Sequence, residues 1–195
     1  IAGNFLNTTT VAYSGEIDKQ KAAADLMALA FKREGMKLTH VIGLKTGHKY
    51  EPRAKEQVSR LVDAALTKGN NAYASKVQLT THTLRYNRMK WVSVHGLTQH
   101  WKEARVEAEH LGNYQFRVKT QNVTKLMLGK LKVSNQGTTK YTITIDNQKL
   151  VTKSDLHAPL MFLRKGTRWG IVKSLAQNNL AKTPGLQGPI DDAFL

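Results

Sequence analysis

Before residue 72, apolar positions alternate between short continuous runs and longer helical stripes. Thr10-Val11-Ala12-Tyr13 reads as a short buried strand. Good helix formers then recur at i, i+3 and i+4 from Lys21 through Leu26, Leu29 and Ala30 to Phe31, predicting a helix that starts at Asp18 or a neighbour. Gly35 supplies its stop, because a residue without Cβ takes the left-handed conformation at little cost. Leu38-Thr39-His40-Val41-Ile42 is a second strand, and Pro52 opens a second helix with Ala54, Val58, Leu61, Val62 and Leu66 on one face, ending near Gly69-Asn70-Asn71. Strand, helix, strand, helix is the grammar of a parallel sheet. Two strands do not complete a doubly wound domain, so this segment is expected either to borrow a partner sheet from elsewhere or to pack on another part of the chain.

Beyond residue 72 the period changes from 3.6 to 2. Strands are predicted at Val77–Thr81, Lys90–Val94, Arg105–Ala108, Tyr114–Thr120, Lys125–Leu128, Tyr141–Ile145 and Pro159–Leu163. They are rich in Val, Thr, Ile and aromatics, and are separated by turn residues such as Asn135-Gln136-Gly137 and Asp146-Asn147. That spacing indicates a mainly antiparallel, sandwich-like domain. The predicted organisation is therefore an α+β composite: a βαβα segment over residues 1–72, a β-rich domain over 73–173, and an extended tail over 174–195 containing Pro184-Gly185-Leu186-Gln187-Gly188-Pro189. The tail reads as leading into a further region.

Composition narrows the class. At 195 residues and 41% hydrophobic content the chain is long enough for real cores, and it is expected to be globular and soluble. No apolar run approaches the roughly 18 residues of a membrane span, and Ile1-Ala2-Gly3-Asn4-Phe5-Leu6 shows no signal-peptide pattern. The absence of cysteine removes disulfides and thiolate metal sites without fixing the compartment, and a secreted or periplasmic parent stays open. The formal charge of +16 attracts polyanions in general. Its basic residues are scattered singly, with no arginine-rich tract or zinc-finger spacing, so a solvated basic surface is favoured over nucleic-acid binding.

Candidate chemistry sits where the two early strands end. Ser14-Gly15-Glu16-Ile17-Asp18-Lys19-Gln20 offers a carboxylate, with Glu16 as the alternative acid, and Thr46-Gly47-His48-Lys49-Tyr50 offers an imidazole. An acid followed by a His at neighbouring strand ends supplies two parts of a Ser-Asp-His triad in α/β-hydrolase order. No Gly-x-Ser-x-Gly nucleophile elbow occurs in the sequence. Each residue also has a simpler reading, Asp18 as a helix N-cap and His48 as a turn residue.

Residues 11–63, with the Gly15-Glu16-Ile17-Asp18 and Gly47-His48 elements, resemble the C-terminal end of the catalytic domain of prolyl-oligopeptidase-family serine hydrolases. Thr80–Val92 and Gly185–Phe194 resemble stretches of a bacterial subgroup in which a β-rich region follows the hydrolase domain. The resemblance implies an α/β-hydrolase fold for the first part, Asp18 as triad acid, His48 as general base, and a peptide or ester substrate. It also implies that the serine, the oxyanion loop and most of the sheet lie upstream, so the chain is expected to be a fragment that is inactive alone and partnered by the N-terminal catalytic portion or by a second copy. No cofactor and no membrane are implied.

The remaining candidates are weaker. The histidines show no His-x-x-x-His spacing, so no metal site is expected, and Asp191-Asp192 are too few oxygens for calcium. Trp91, Trp101, Trp169, Tyr86 and Tyr114 read as core or cross-strand aromatics more readily than as a sugar- or base-binding surface. Arg85-Tyr86-Asn87-Arg88 is a solvated turn or an anion site. Asn7-Thr8-Thr9 and Asn122-Val123-Thr124 fit the glycosylation pattern, which is frequent by chance. The alternative to the hydrolase is a non-catalytic module whose basic β-surface holds a polyanion or glycan.

Overall fold

In a computed structural model, described over residues 1–129, 138–155, 158–176 and 184–185, the chain is mixed α and β, mostly strand, in several sheets. It divides into two compact units, residues 2–71 and residues 72 onward. The predicted turn at Asn135-Gln136-Gly137, His157, the acids Asp191 and Asp192, and all but Gly185 of the Gly185–Phe194 stretch lie outside the described residues. Among the described residues no helix is long and apolar enough to cross a membrane.

The first unit opens with a 3-10 turn, Ala2–Asn7, followed by β1 (Val11–Gly15), α1 (Lys21–Arg33), β2 (Thr39–Gly43) and α2 (Pro52–Lys68). β1 and β2 pair in parallel, Val11 opposite Thr39 through Gly15 opposite Gly43, with α1 as the crossover. Three details differ from the sequence reading. α1 begins at Lys21 rather than Asp18, because the Asp18 carboxylate accepts from Gln20 N and its carbonyl accepts from Lys21 N, holding residues 18–20 in a turn. β1 runs on to Gly15 and its first residues are only half-buried. Of the predicted stripe on α2, Ala54 is buried while Val62 and Leu66 are exposed, as are Leu26 and Leu29 on α1, since two strands present too little sheet to cover two helices.

Helix ends follow local chemistry. Gly35 has φ +71 and α1 closes with Met36 N bonding Phe31 O at 2.9 Å and Gly35 N bonding Lys32 O at 3.0 Å, the Schellman pattern that consumes orphan carbonyls. α2 starts with Pro52 in its first turn and the Glu51 carboxylate accepting from Ala54 N at 2.7 Å.

The second unit contains β3 (Lys76–Thr81), β4 (Arg88–Met89), β5 (Val92–Leu97), β6 (Ala104–Gly112), β7 (Gln115–Gln121), β8 (Val123–Leu128), β9 (Thr138–Ile145), β10 (Gln148–Asp155), β11 (Leu160–Lys165) and β12 (Arg168–Val172). They form two five-stranded sheets, ordered β10-β9-β7-β6-β3 and β12-β11-β8-β5-β4. Inward side chains from both sheets form one buried cluster, including Leu79, Val106, Val118 and Ile143 from the first and Val94, Leu126, Leu128 and Phe162 from the second. Trp91 and Trp169 belong to it, each with its indole N–H satisfied, by Ala74 O at 2.7 Å and Asp146 Oδ2 at 2.9 Å. Trp101 and Tyr86 are exposed, so they are not core aromatics.

The strand predicted at Lys90–Val94 is broken at its start. Lys90 has φ +53 and lies in the two-residue turn between Met89 and Val92, which makes β4 and β5 a tight hairpin. Pairing is antiparallel except between β7 and β9, which are parallel, Gln115 opposite Thr142. Between these two strands of the first sheet the chain runs β8 in the second. Asn113-Tyr114 and Asp146-Asn147 carry positive φ at both positions and make the hairpin turns that match strand twist.

The shared core sets the stability of this unit, at about 1.5–3 kcal/mol per fully buried large apolar side chain. Ile143→Ala is expected to cost about 3 kcal/mol, whereas Val151→Thr on the exposed face of β10 should stay within about 0.5 kcal/mol. Urea titration followed by tryptophan fluorescence checks this, because Trp91, Trp101 and Trp169 all lie in this unit.

Candidate catalytic pair at the strand ends

Asp18 and His48 meet. The Asp18 carboxylate Oδ2 lies 3.0 Å from His48 Nδ1, although the residues are 30 positions apart. Each comes from the loop that follows one of the two parallel strands. Asp18 is 12% exposed at its side chain and His48 77%, and Nε2 of His48 has no hydrogen-bond partner among the described residues. The pair thus has an enclosed acid, an oriented ring and an accessible outer nitrogen.

The loops are stitched by backbone. Glu16 N bonds Gly43 O at 2.8 Å and Ile17 N bonds Thr46 O at 3.2 Å, continuing the β1–β2 pairing past its last residues. Glu16, the alternative acid, does not touch His48; its Oε2 accepts from Lys45 N at 2.8 Å, holding a turn in which Lys45 has φ +49. Gly15 is required here, since a Cβ would collide with the carbonyl oxygens of Thr46 and Gly47. Tyr13 anchors the far side of the His48 loop: its hydroxyl donates to Lys49 O at 2.8 Å and accepts from Glu51 N at 2.9 Å, and its ring stacks on Tyr50 with centroids 4.3 Å apart.

The Asp18 carboxyl is held below the usual carboxylate range, first by the Gln20 N–H bonded to Oδ1 at 2.9 Å and then by the hydrogen bond with His48. Its ionised form is therefore the ground state at neutral pH, and it can fix the imidazole tautomer with the proton on Nδ1.

A second polar grouping escaped the sequence reading. His40, predicted only as a mid-strand residue, has Nε2 3.0 Å from Ser14 Oγ and Nδ1 3.9 Å from Asp25 Oδ1. Ser14 is buried within β1, so its hydroxyl is a structural partner tying β2 to β1, not a nucleophile open to substrate. A His and a Ser at matching positions of adjacent strands, Ser14 beside Ile42 and His40 beside Ala12, are the only sequence trace of it.

The other candidates are dispersed. Asn87 Nδ2 donates to Val94 O at 2.7 Å and Arg88 Nε to Lys90 O at 3.2 Å, while the Arg85 guanidinium sits 5.9 Å from the Tyr86 ring centroid, so much of this cluster builds its own turn. The Asn122 amide is spent on Gln99 and Lys102 backbone, which leaves it poorly placed as a glycan acceptor. Among the described residues no group of three His, Asp or Glu is placed to hold a metal ion.

Comparison with known proteins returns no match to any family model, curated protein or solved structure.

The depressed Asp18 value has a definite sign. A carboxyl whose folded pKa lies below its unfolded value of about 3.9 contributes stability that is complete above that value and is lost as pH falls through the lower folded value. Carboxyl 13C NMR should place the Asp18 titration below the ordinary range. Gln20→Pro, which removes the donating N–H, should move it upward, and an unchanged midpoint would mean that the Gln20 bond is not its main cause.

Proposed function

We propose that Asp18 and His48 are the acid and general base of a serine-hydrolase triad, in an enzyme whose nucleophilic serine lies upstream of Ile1. The observation that carries this reading is the polarity of the contact. The carboxylate engages Nδ1 and leaves Nε2 outward, the nitrogen that takes the proton from a serine hydroxyl. Acid precedes His in the chain, and both sit beyond the carboxyl ends of parallel strands, where open α/β sheets place their sites. The resemblance of the Asp18 and His48 elements to prolyl-oligopeptidase-family hydrolases agrees, and with it a peptide or ester substrate.

In this mechanism the serine oxygen attacks the carbonyl carbon as His48 Nε2 accepts its proton, Asp18 stabilises the imidazolium, and His48 returns the proton to the leaving group. The upstream portion supplies the serine and the oxyanion donors. Further support comes from exposed Leu26, Leu29, Val62 and Leu66 on α1 and α2, apolar surface that a wider sheet and its helices would cover. The β-rich unit is then an accessory domain of the same enzyme.

The chain alone should not hydrolyse a p-nitrophenyl ester. The longer polypeptide translated from the upstream reading frame should do so and be labelled at a serine by a fluorophosphonate, with Asp18→Asn lowering kcat by about 10⁴ and His48→Ala by at least as much. Hydrolysis by the 195-residue chain that His48→Ala abolishes would refute the assignment of the nucleophile. Left alone, the two-stranded sheet should also drive self-association through its unpaired edges, read as a mass above 21.8 kDa in light scattering at high concentration.

A further inference from the structure

We propose that the outward face of the β10-β9-β7-β6-β3 sheet binds an acidic polysaccharide through Arg117, Lys119, Lys140, Lys149 and Lys153. The charge is unevenly shared: residues 72–195 hold 19 Lys and Arg against seven Asp and Glu, while residues 1–71 hold 11 against seven. Period 2 gathers part of that excess on one face. Alternation in β7 turns Arg117 and Lys119 outward, in β9 Lys140, Thr142 and Thr144, and in β10 Lys149, Val151, Lys153 and Asp155.

Register then sets the pattern. Lys140 lies directly opposite Lys153, and Thr144 lies between Arg117 on β7 and Lys149 on β10. Like charges directly opposite each other destabilise an antiparallel pair, and an anion between them reverses the sign. The acids of this face are Glu107 and Glu109 on β6, opposite Lys119 and Arg117, and Asp155 at the end of β10. Glu109 is shared by Lys76 at 3.2 Å and Arg117 at 3.6 Å, and Glu107 bonds Arg105 at 2.9 Å. Lys119, Lys140, Lys149 and Lys153 form no ion pair among the described residues.

Lysines on an edge strand guard against strand addition, which accounts for Lys149 and Lys153 on β10. It does not account for Arg117 and Lys119 on the central strand β7, or for Lys140 on β9. The positions turned outward on β7, β9 and β10 carry no aromatic ring, so the face lacks the stacking platform that single-stranded nucleic acid uses. It offers charge at regular separations, about 10 Å across two strands and about 14 Å along four residues of one strand. Those spacings suit repeated sulfates or carboxylates on an extended sugar chain. The inference is independent of the hydrolase reading.

Heparin is the probe, applied to the full chain. The quadruple variant Lys119→Gln, Lys140→Gln, Lys149→Gln, Lys153→Gln should bind at least tenfold more weakly at physiological salt, with the slope of log K against log [salt] reduced by about 3. A control with the same charge loss, Lys32→Gln, Lys37→Gln, Lys55→Gln, Lys68→Gln, should change affinity less than twofold, and an oligodeoxythymidine of equal charge should bind more weakly than heparin. Equal losses in the two variants, or tighter binding of the oligonucleotide, would overturn the proposal. Circular dichroism shows whether both variants are folded.

Discussion

At Gly15 the end of β1 lies so close to the carbonyl oxygens of Thr46 and Gly47 that no side chain fits between them. Everything at the candidate site follows from that approach. It lets Glu16 N and Ile17 N reach across to Gly43 and Thr46, so the two strands stay joined after regular pairing ends, and it puts Asp18 within reach of His48. The contact between an exposed His and a carboxylate contributes little by itself. Ordering the residues of each loop costs about 1–2 kcal/mol apiece in backbone entropy, so the loops hold the pair in place and not the reverse. The net gain of about 1 kcal/mol per hydrogen bond accumulates over the backbone bonds, the Glu16 clasp on Lys45 and the two bonds of the Tyr13 hydroxyl.

The sheet beneath the pair is held partly by polar side chains. At Gly43 a Cβ would meet the Tyr13 hydroxyl, the atom that pins Lys49 and Glu51. Below it Ser14, His40 and Asp25 link β1, β2 and α1. Buried polar groups of this kind specify register, because a shift of one residue would turn Ser14 and His40 to opposite sides and leave both without partners. Burial here is confined to a few apolar side chains, Phe31, Leu38, Val41 and Ala54. Specific hydrogen bonds, more than apolar area, therefore define the geometry of the strand ends.

Where a local rule decides the structure, the sequence was readable. The two strands and two α-helices of the first unit, the Gly35 stop, the Pro52 start and the Asp146-Asn147 turn all follow from apolar patterning or turn chemistry, and Asp18 and His48 were identifiable as strand-end residues. What escaped depended on contacts distant in sequence. Nothing near Glu16 says that its carboxylate belongs to Lys45 N, and nothing near His40 says that it faces Ser14. The strands missed, β4, β10 and β12, are short or polar: Gln148–Asp155 has an exposed residue at every second position, and Arg168–Val172 is interrupted by Gly170. Their strand character comes from a partner already in place, β9 for β10 and β11 for β12. The sheet to which each strand belongs was likewise invisible, because β7 and β8 are joined by one residue yet lie in different sheets.

The two outer faces of the β-rich unit show how much a strand's pattern carries once its sheet is known. β7 and β10 alternate strictly, which leaves one face wet and basic. β8 and β11 contain continuous apolar runs, Leu126-Met127-Leu128 and Leu160-Met161-Phe162-Leu163, and their outward residues Met127, Met161 and Leu163 are half-buried. Lys125 lies on that drier face. Its stem passes beside Gly96, its ammonium reaches Leu175 O at 3.4 Å, and burial lowers its pKa. Nearby His95 is lowered in turn, by burial first and then by the Lys125 charge. A continuous run thus marks a strand whose outward side is partly covered as well, and strict alternation marks one that must keep a face in water. The charged side chains that β7 and β10 contribute all stand on the wet side of that division, where water solvates them.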